Sequence, residues 1–160
     1  MNKKIENSAN ILVLLVTCAR TKQRQIIEKS VIEQLVKIAK KELPNLSFML
    51  FDNNSKYSKH LDKFQEIGPI FSAKNNRGLW SAIHWALRNE SRIYTNAHKY
   101  LHIIESDLFV KTLVPLIEIS NTLDKFSNLH MARTQEFSVS SSWRFNKKYS
   151  FLYELFIVNY

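Results

Sequence analysis

A continuous apolar run near the start of the chain, Ile11 to Val16, constrains the fold more than any other feature. It is too short for a helix that stands alone, and polar residues flank it on both sides. This pattern is typical of a strand buried on both faces, as in a parallel sheet. An amphipathic helix is predicted next, because apolar residues recur at helical spacing opposite lysines and glutamates: Ile27, Val31, Leu35 and Ile38.

The rest of the chain repeats this alternation of strand and helix. Further strands are predicted at 46–51, 70–73, 100–104 and 129–132, and helices at 57–67, 78–89 and 114–123. Strands that alternate with helices through short loops indicate parallel strands with right-handed crossovers. The sequence therefore predicts an α/β fold with a mainly parallel central sheet flanked by helices. Ligands of such sheets bind outside the carboxyl ends of the strands.

Composition excludes several classes of protein. The chain has 160 residues and 45% hydrophobic content, which suits one domain with a core. A single cysteine, Cys18, excludes an internal disulfide, and no Cys/His spacing resembles a zinc site. With two glycines, Gly68 and Gly78, neither a G-x-G-x-x-G motif nor a Walker loop is present, which argues against dinucleotide oxidoreductases and P-loop NTPases.

The net charge indicates the kind of ligand. Lys+Arg 23 against Asp+Glu 14 gives +9, which favours anionic partners such as nucleotides, nucleic acid or a lipid surface. The lysines are scattered along the chain, so a biased composition without functional meaning is the alternative interpretation. No signal peptide and no apolar segment of about 20 residues is present, which predicts a cytoplasmic protein.

The tripeptide Glu105-Ser106-Asp107 directly follows the fourth predicted strand. Residues two apart at a strand end can direct their side chains the same way. Two converging carboxylates form an oxygen site suited to Mg²⁺ or Mn²⁺ carrying a diphosphate. The alternative is an exposed acidic turn without a ligand.

Two more loops carry polar residues at the predicted carboxyl ends of strands. Asp52 ends the second strand, where it can accept hydrogen bonds from a ribose or a base edge, or begin the loop as an Asx turn. Asn76-Arg77-Gly78 leads into a helix, and a helix N-terminus beside an arginine can bind an anion. Alternatively, Asn76 caps that helix and Gly78 permits a tight turn.

In order and spacing, these segments resemble the nucleotide-binding half of GT-A glycosyltransferases of the family 2 type. The resemblance covers roughly residues 10 to 110 through four segments: Ile11 to Arg20, Phe51 to Ser55, Asn76 to Ala82, and His102 to Asp107. It implies a Rossmann-like GT-A domain at 11–135, a polar tail at 1–10 and an incomplete start of an acceptor region at 136–160. It also implies metal-dependent transfer of a sugar from a nucleotide-diphosphate donor to a saccharide or lipid-linked acceptor.

The resemblance also implies roles for individual residues. Glu105 and Asp107 would hold Mn²⁺ or Mg²⁺, although Glu105 stands where the family usually has an aspartate. Glu136 is a candidate catalytic base, with a plain surface acid as the alternative. The implied substrate-binding residues are Thr17, Arg20, Asp52, Asn53, Asn76, Arg77 and Ser106.

Two alternative functions stay open at this point. Members of the family continue well past the metal motif, so a truncated or inactive domain that only binds a nucleotide sugar is one alternative. Its apolar segment Phe151 to Val158 would then bind a partner chain. The other is a basic α/β module that binds nucleic acid, with Trp80, Trp143 or Tyr149 stacking on bases. A lipid-linked acceptor would bring the protein to the inner face of the membrane.

Overall fold

Within the part of the chain that the structure describes, four parallel strands and two antiparallel strands form one sheet, with helices packed on both faces. The computed structural model describes residues 11–42, 46–95, 98–107, 109–125, 131–132 and 157–159. Its elements, in chain order, are β1 Ile11–Thr17, α1 Lys22–Glu42, β2 Leu46–Asp52, a 3-10 helix Lys59–Glu66, β3 Ile70–Ser72, α2 Leu79–Ile93, β4 Tyr100–Glu105, α3 Val114–Lys125, β5 Met131–Ala132 and β6 Ile157–Asn159.

The strand β1 lies inside the sheet and is buried along its whole length. Its alternate residues face opposite sides because side chains in a strand point to the two faces in turn. Ile11, Val13 and Leu15 belong to a core cluster with α1, α3 and the 3-10 helix. Leu12 and Leu14 belong to a second cluster with α2. An apolar run without alternation is therefore what two covered faces require, as predicted.

The strand order is β3-β2-β1-β4-β6-β5. The β1 strand pairs in parallel with β2 and with β4, and β2 pairs in parallel with β3. The β6 strand pairs antiparallel with both β4 and β5. The predicted mainly parallel sheet with flanking helices is confirmed, and the antiparallel β6 adds a feature that the strand–helix alternation did not predict.

The segment predicted as a helix at 57–67 is a 3-10 helix at Lys59–Glu66. Its two buried residues, Leu61 and Phe64, are three positions apart. Residues at this spacing lie directly above one another in a 3-10 helix, so a tighter coil directs both side chains into the core. Among the described residues, no helix is long and apolar enough to cross a membrane.

The register of the parallel strands brings their carboxyl ends to one level. Thr17 lies opposite Asp52, Asp52 opposite Ser72, and Val16 opposite Glu105. The segments 17–21, 52–55, 74–78 and 105–107 therefore leave the sheet side by side. These four segments are called the carboxyl edge below.

Candidate functional site

The buried end of β1 forms the centre of the carboxyl edge. Thr17 is 1% exposed, and its hydroxyl has no hydrogen-bond partner among the described residues. Its carbonyl accepts a hydrogen bond from the Asn53 amide at 2.8 Å, which joins the ends of β1 and β2. The predicted site residue Arg20 is exposed in the loop that follows. The carboxyl edge thus carries the buried hydroxyl of Thr17 and, three residues later, the exposed guanidinium of Arg20.

The loop after β2 begins with a side-chain turn. Asp52 is 4% exposed, and its Oδ1 accepts a hydrogen bond from the Ser55 amide at 2.9 Å. The hydroxyl of Ser55 accepts in turn from the Ala19 amide at 2.8 Å. Asn54 has a φ of 62°, a left-handed conformation that asparagine tolerates better than most residues. One carboxylate oxygen of Asp52 therefore begins the loop by a bond to the amide three residues on, one position further than in an Asx turn.

Side chains of two asparagines tie three loops of the carboxyl edge together. The Oδ1 of Asn53 accepts a hydrogen bond from the Arg77 amide at 2.8 Å. Asn76 donates from Nδ2 to Cys18 Sγ at 3.3 Å and accepts the Gly78 amide at 2.9 Å. The N-cap of α2 is Gly78, which has a φ of 79° and makes no side-chain cap. Asn76 thus holds the residue before the helix and does not cap the helix itself, which corrects the capping alternative.

A buried carboxylate on α1, Glu28, was not predicted as part of the site. It is fully buried and contacts four groups from different parts of the chain. Its Oε1 accepts hydrogen bonds from the Cys18 amide at 3.1 Å and the Ser106 hydroxyl at 2.7 Å. It also lies 3.5 Å from Arg24 Nε, and its Oε2 lies 3.2 Å from His60 Nε2. Glu28 therefore connects β1, α1, the 3-10 helix and the end of β4.

Arg24 extends this contact to the acidic tripeptide. Its Nη1 donates to Asp107 Oδ2 at 2.7 Å, and its Nη2 donates to Ser106 Oγ at 3.2 Å. Partial burial lowers the pKa of Arg24, but the hydrogen bond and charge of Asp107, with those of Glu28, outweigh it and raise the pKa. The guanidinium is therefore a permanent cation between a buried and an exposed carboxylate.

The two predicted metal ligands differ in their surroundings. Glu105 and Asp107 are both exposed. Asp107 pairs with Arg24 through one oxygen, whereas Glu105 has no ion pair or hydrogen bond with any residue that the structure describes. No group of three or more His, Cys, Asp or Glu side chains suited to a metal occurs within the described ranges. The predicted base, Glu136, lies outside these ranges.

Ring contacts and burial distinguish the aromatic and histidine side chains that pack in the core from those that are exposed. Trp85 packs against Phe51 and Phe71, with ring centroids 5.2 and 4.7 Å away. His98 and His102 are both buried, and the backbone amide of His98 donates a hydrogen bond to Glu90 at 2.8 Å. Trp80, at the start of α2, is 79% exposed.

No protein-family profile matches the sequence, and no curated protein matches it. Solved structures do match. TarS from S. aureus has 14% identity and a TM-score of 0.54, over 83% of this chain and 39% of that one. Mannosyltransferase PcManGT from Pyrobaculum calidifontis has 17% identity and a TM-score of 0.51, over 71% of this chain and 32% of that one. Glucosyl-3-phosphoglycerate synthase from Mycobacterium tuberculosis has 11% identity and a TM-score of 0.63, over 95% of this chain and 57% of that one.

These matches establish the fold. This chain spans less than two thirds of the length of each of the three structures. They share with it a Rossmann-like arrangement of a mainly parallel sheet and flanking helices. The chain therefore has the GT-A fold of nucleotide-sugar glycosyltransferases.

Proposed function

We propose that the chain is the donor-binding part of a glycosyltransferase that uses a nucleotide-diphosphate sugar and a saccharide or lipid-linked acceptor. The observation that carries the proposal is the strand register at the carboxyl edge, where Thr17 lies opposite Asp52 and the preceding residue, Val16, lies opposite Glu105. PcManGT was solved with GDP-Man and Mn²⁺, and the mycobacterial synthase with UDP and Mn²⁺. Both complexes support a nucleotide ligand for a chain of the same fold.

The nucleoside is proposed to lie over the ends of β1 and β2. One oxygen of Asp52 is used by the Ser55 amide, which fixes the carboxylate and leaves the second oxygen to accept from a ribose or base. Thr17 ends β1 next to Asp52, and its buried hydroxyl has no partner among the described residues, so Thr17 is proposed to border the nucleoside from the end of the strand. Arg20 and Arg77 are exposed and supply positive charge for a diphosphate.

Glu105 and Asp107 are proposed to hold Mn²⁺ or Mg²⁺. Their carboxylates fit such an ion because hard cations prefer oxygen ligands, and both side chains are exposed at the edge. Two carboxylates leave coordination positions for a diphosphate and water, as expected for ions bound together with a substrate. When bound, such an ion stabilises the negative charge that develops on the leaving diphosphate.

The site chemistry of this chain is binding and orientation of the donor. Asp52 and Asn53 position the nucleoside, Ser106 lies next to the metal ligands, and the arginines neutralise the phosphates. Glu136 stays a predicted base, and the cytoplasmic location and a partner chain bound through Phe151 to Val158 stay predictions.

Thermal unfolding with Mn²⁺, in the presence of UDP, GDP or their sugar derivatives, tests the donor site. A ligand at about 100 times its dissociation constant adds about 2.7 kcal/mol, which raises the Tm of a chain this size by about 5–11 °C. We expect a shift that needs Mn²⁺ and is lost in Asp107→Asn. Asp124→Asn is the matched control, because Asp124 is also exposed and paired with a cation, Lys99, away from the carboxyl edge.

The outcomes separate the alternative functions. No shift with any nucleotide would contradict the proposal, and salt-sensitive binding of oligonucleotides without metal would support the nucleic-acid alternative. A nucleotide shift without product in assays over several acceptors would favour the domain that only binds. Reproducible sugar transfer would exclude that last alternative.

A further inference from the structure

The fork of Arg24 makes three contacts through three different nitrogens. Nε faces Glu28 at 3.5 Å, Nη1 binds Asp107 at 2.7 Å, and Nη2 binds Ser106 at 3.2 Å. A planar guanidinium presents its donors in a rigid fork, whereas an ammonium is a compact charge with three rotatable donors. The position of Asp107 relative to the sheet is therefore set by where the guanidinium lies.

Glu28 in turn sets the position of the guanidinium. Its carboxylate is fully buried, and a buried charge persists only with charged or hydrogen-bonding partners around it. Those partners are Arg24, Ser106, the Cys18 amide and His60, so each oxygen is held from the protein side. These partners fix the position of the Glu28 carboxylate, and its negative charge therefore holds the Arg24 guanidinium close to it.

We propose that Glu28 and Arg24 are positioning residues of the donor site: Arg24 orients the exposed Asp107 toward the metal, and both residues hold the buried Ser106 hydroxyl at the end of β4. This inference rests on the proposed function and names the residues that prepare its metal-binding side. Glu28 itself is fully buried and is not proposed to contact the metal or the diphosphate. It fixes the end of β4 relative to β1, since its Oε1 holds both the Cys18 amide and the Ser106 hydroxyl.

Glu28→Gln tests the buried charge with little change of shape. Glutamine keeps an acceptor for Cys18 and Ser106 but removes the negative charge that holds Arg24. The matched control is Glu90→Gln, because Glu90 is also a buried glutamate beside a buried histidine, His98, and lies before β4, away from the carboxyl edge. Both variants are expected to lower the Tm, so stability alone does not distinguish them.

The first readout is the affinity for Mn²⁺ alone, which is measured from the EPR signal of the ion that stays free in solution. Substitution of residues that orient metal ligands typically weakens metal binding by about 10- to 100-fold. We expect a loss of about tenfold or more in Glu28→Gln and no change in Glu90→Gln. Arg24→Lys should show the same loss, because it keeps the positive charge beside Asp107 and loses the planar fork.

The second readout needs no ligand. Hydrogen exchange of the amides at 18–24 and 105–107 should accelerate in Glu28→Gln and in Arg24→Lys, and stay unchanged in Glu90→Gln. Equal Mn²⁺ affinity in wild type, Glu28→Gln and Arg24→Lys would overturn the inference while leaving the proposed function intact. A wild-type chain that binds neither Mn²⁺ nor nucleotide would overturn both.

Discussion

The side chain of Asn53 accepts a hydrogen bond from the backbone amide of Arg77 at 2.8 Å, across 24 residues of sequence. Asn53 is 3% exposed and follows β2, whereas Arg77 is exposed and precedes α2. This contact attaches the loop that carries Arg77 to the end of the sheet. A buried side chain thus determines where an exposed cation lies.

Asn53→Ala should release the Arg77 loop. The Arg77 amide loses its acceptor, and the loss of one such hydrogen bond costs about 1 kcal/mol of unfolding free energy. Binding of a nucleotide diphosphate should weaken more than this stability loss explains, because the loop is no longer held. Urea unfolding and nucleotide titration of the same preparation check both expectations. Asn89→Ala, which removes a bond to Trp85 within α2, is the control, and equal nucleotide affinity in all three proteins would contradict the prediction.

The two glycines should resist substitution for different reasons. A Cβ on Gly68 would lie 2.0 Å from the Phe48 carbonyl oxygen in the buried strand β2, so Gly68→Ala should cost about 3 kcal/mol or more. A Cβ on Gly78 meets no atom within 4 Å, but its φ of +79° with a ψ of 168° is a conformation that essentially only glycine adopts, so Gly78→Ala should cost about 1–3 kcal/mol. Denaturant unfolding should therefore give a lower free energy of unfolding for Gly68→Ala than for Gly78→Ala. The reverse order would contradict the described packing of Gly68 on β2.

Asp124 should make stability depend on pH in the acid range. The hydrogen bond from Lys99, and then that from the Tyr100 hydroxyl, lower the pKa of Asp124 below its ordinary value of 3.8. A carboxylate whose pKa is lowered in the folded state contributes stability above its unfolded pKa, and loses it as the pH falls through the folded value. The Tm difference between wild type and Asp124→Asn should thus be present at neutral pH and disappear in acid.

Thermal unfolding of both proteins over a pH series checks this expectation. Asp62→Asn is the control, because Asp62 is an exposed aspartate with no ion pair among the described residues. A Tm difference that grows as the pH falls would show that Asp124 is not stabilised as its ionised form.

The parallel half of the sheet could be predicted from sequence because burial on both faces leaves a local signal. Ile11 to Val16 is apolar at every position, and the amphipathic repeat of α1 follows it directly. The β6 strand could not be predicted in this way. Its pairing joins Tyr100 to Asn159, and such a distant partner is chosen by tertiary packing and not by local pattern.

The residues of the candidate site also differ in how far local sequence pattern could predict them. The position of Asp52, Asn53, Asn76 and Glu105 at the carboxyl edge could be predicted because they end or follow strands whose ends meet there, and their role in binding stays a prediction. Glu28 carried a weaker signal: it lies on the apolar stripe of α1, four positions before Ile32 and seven before Leu35, where a charge needs a buried partner. His60 carried no signal, because its contact with Glu28 depends on how the 3-10 helix packs on α1.

The place of β6 in the sheet has a consequence for synthesis of the protein. The strands β1 to β5 are all translated before residues 157–159, yet β6 lies between β4 and β5. Until β6 is made, the outer side of β4 exposes unpaired backbone groups, which can pair with strands of other chains. Nascent chains that pause between β5 and β6 should therefore be prone to aggregation and in need of chaperones, although the finished sheet has that side covered.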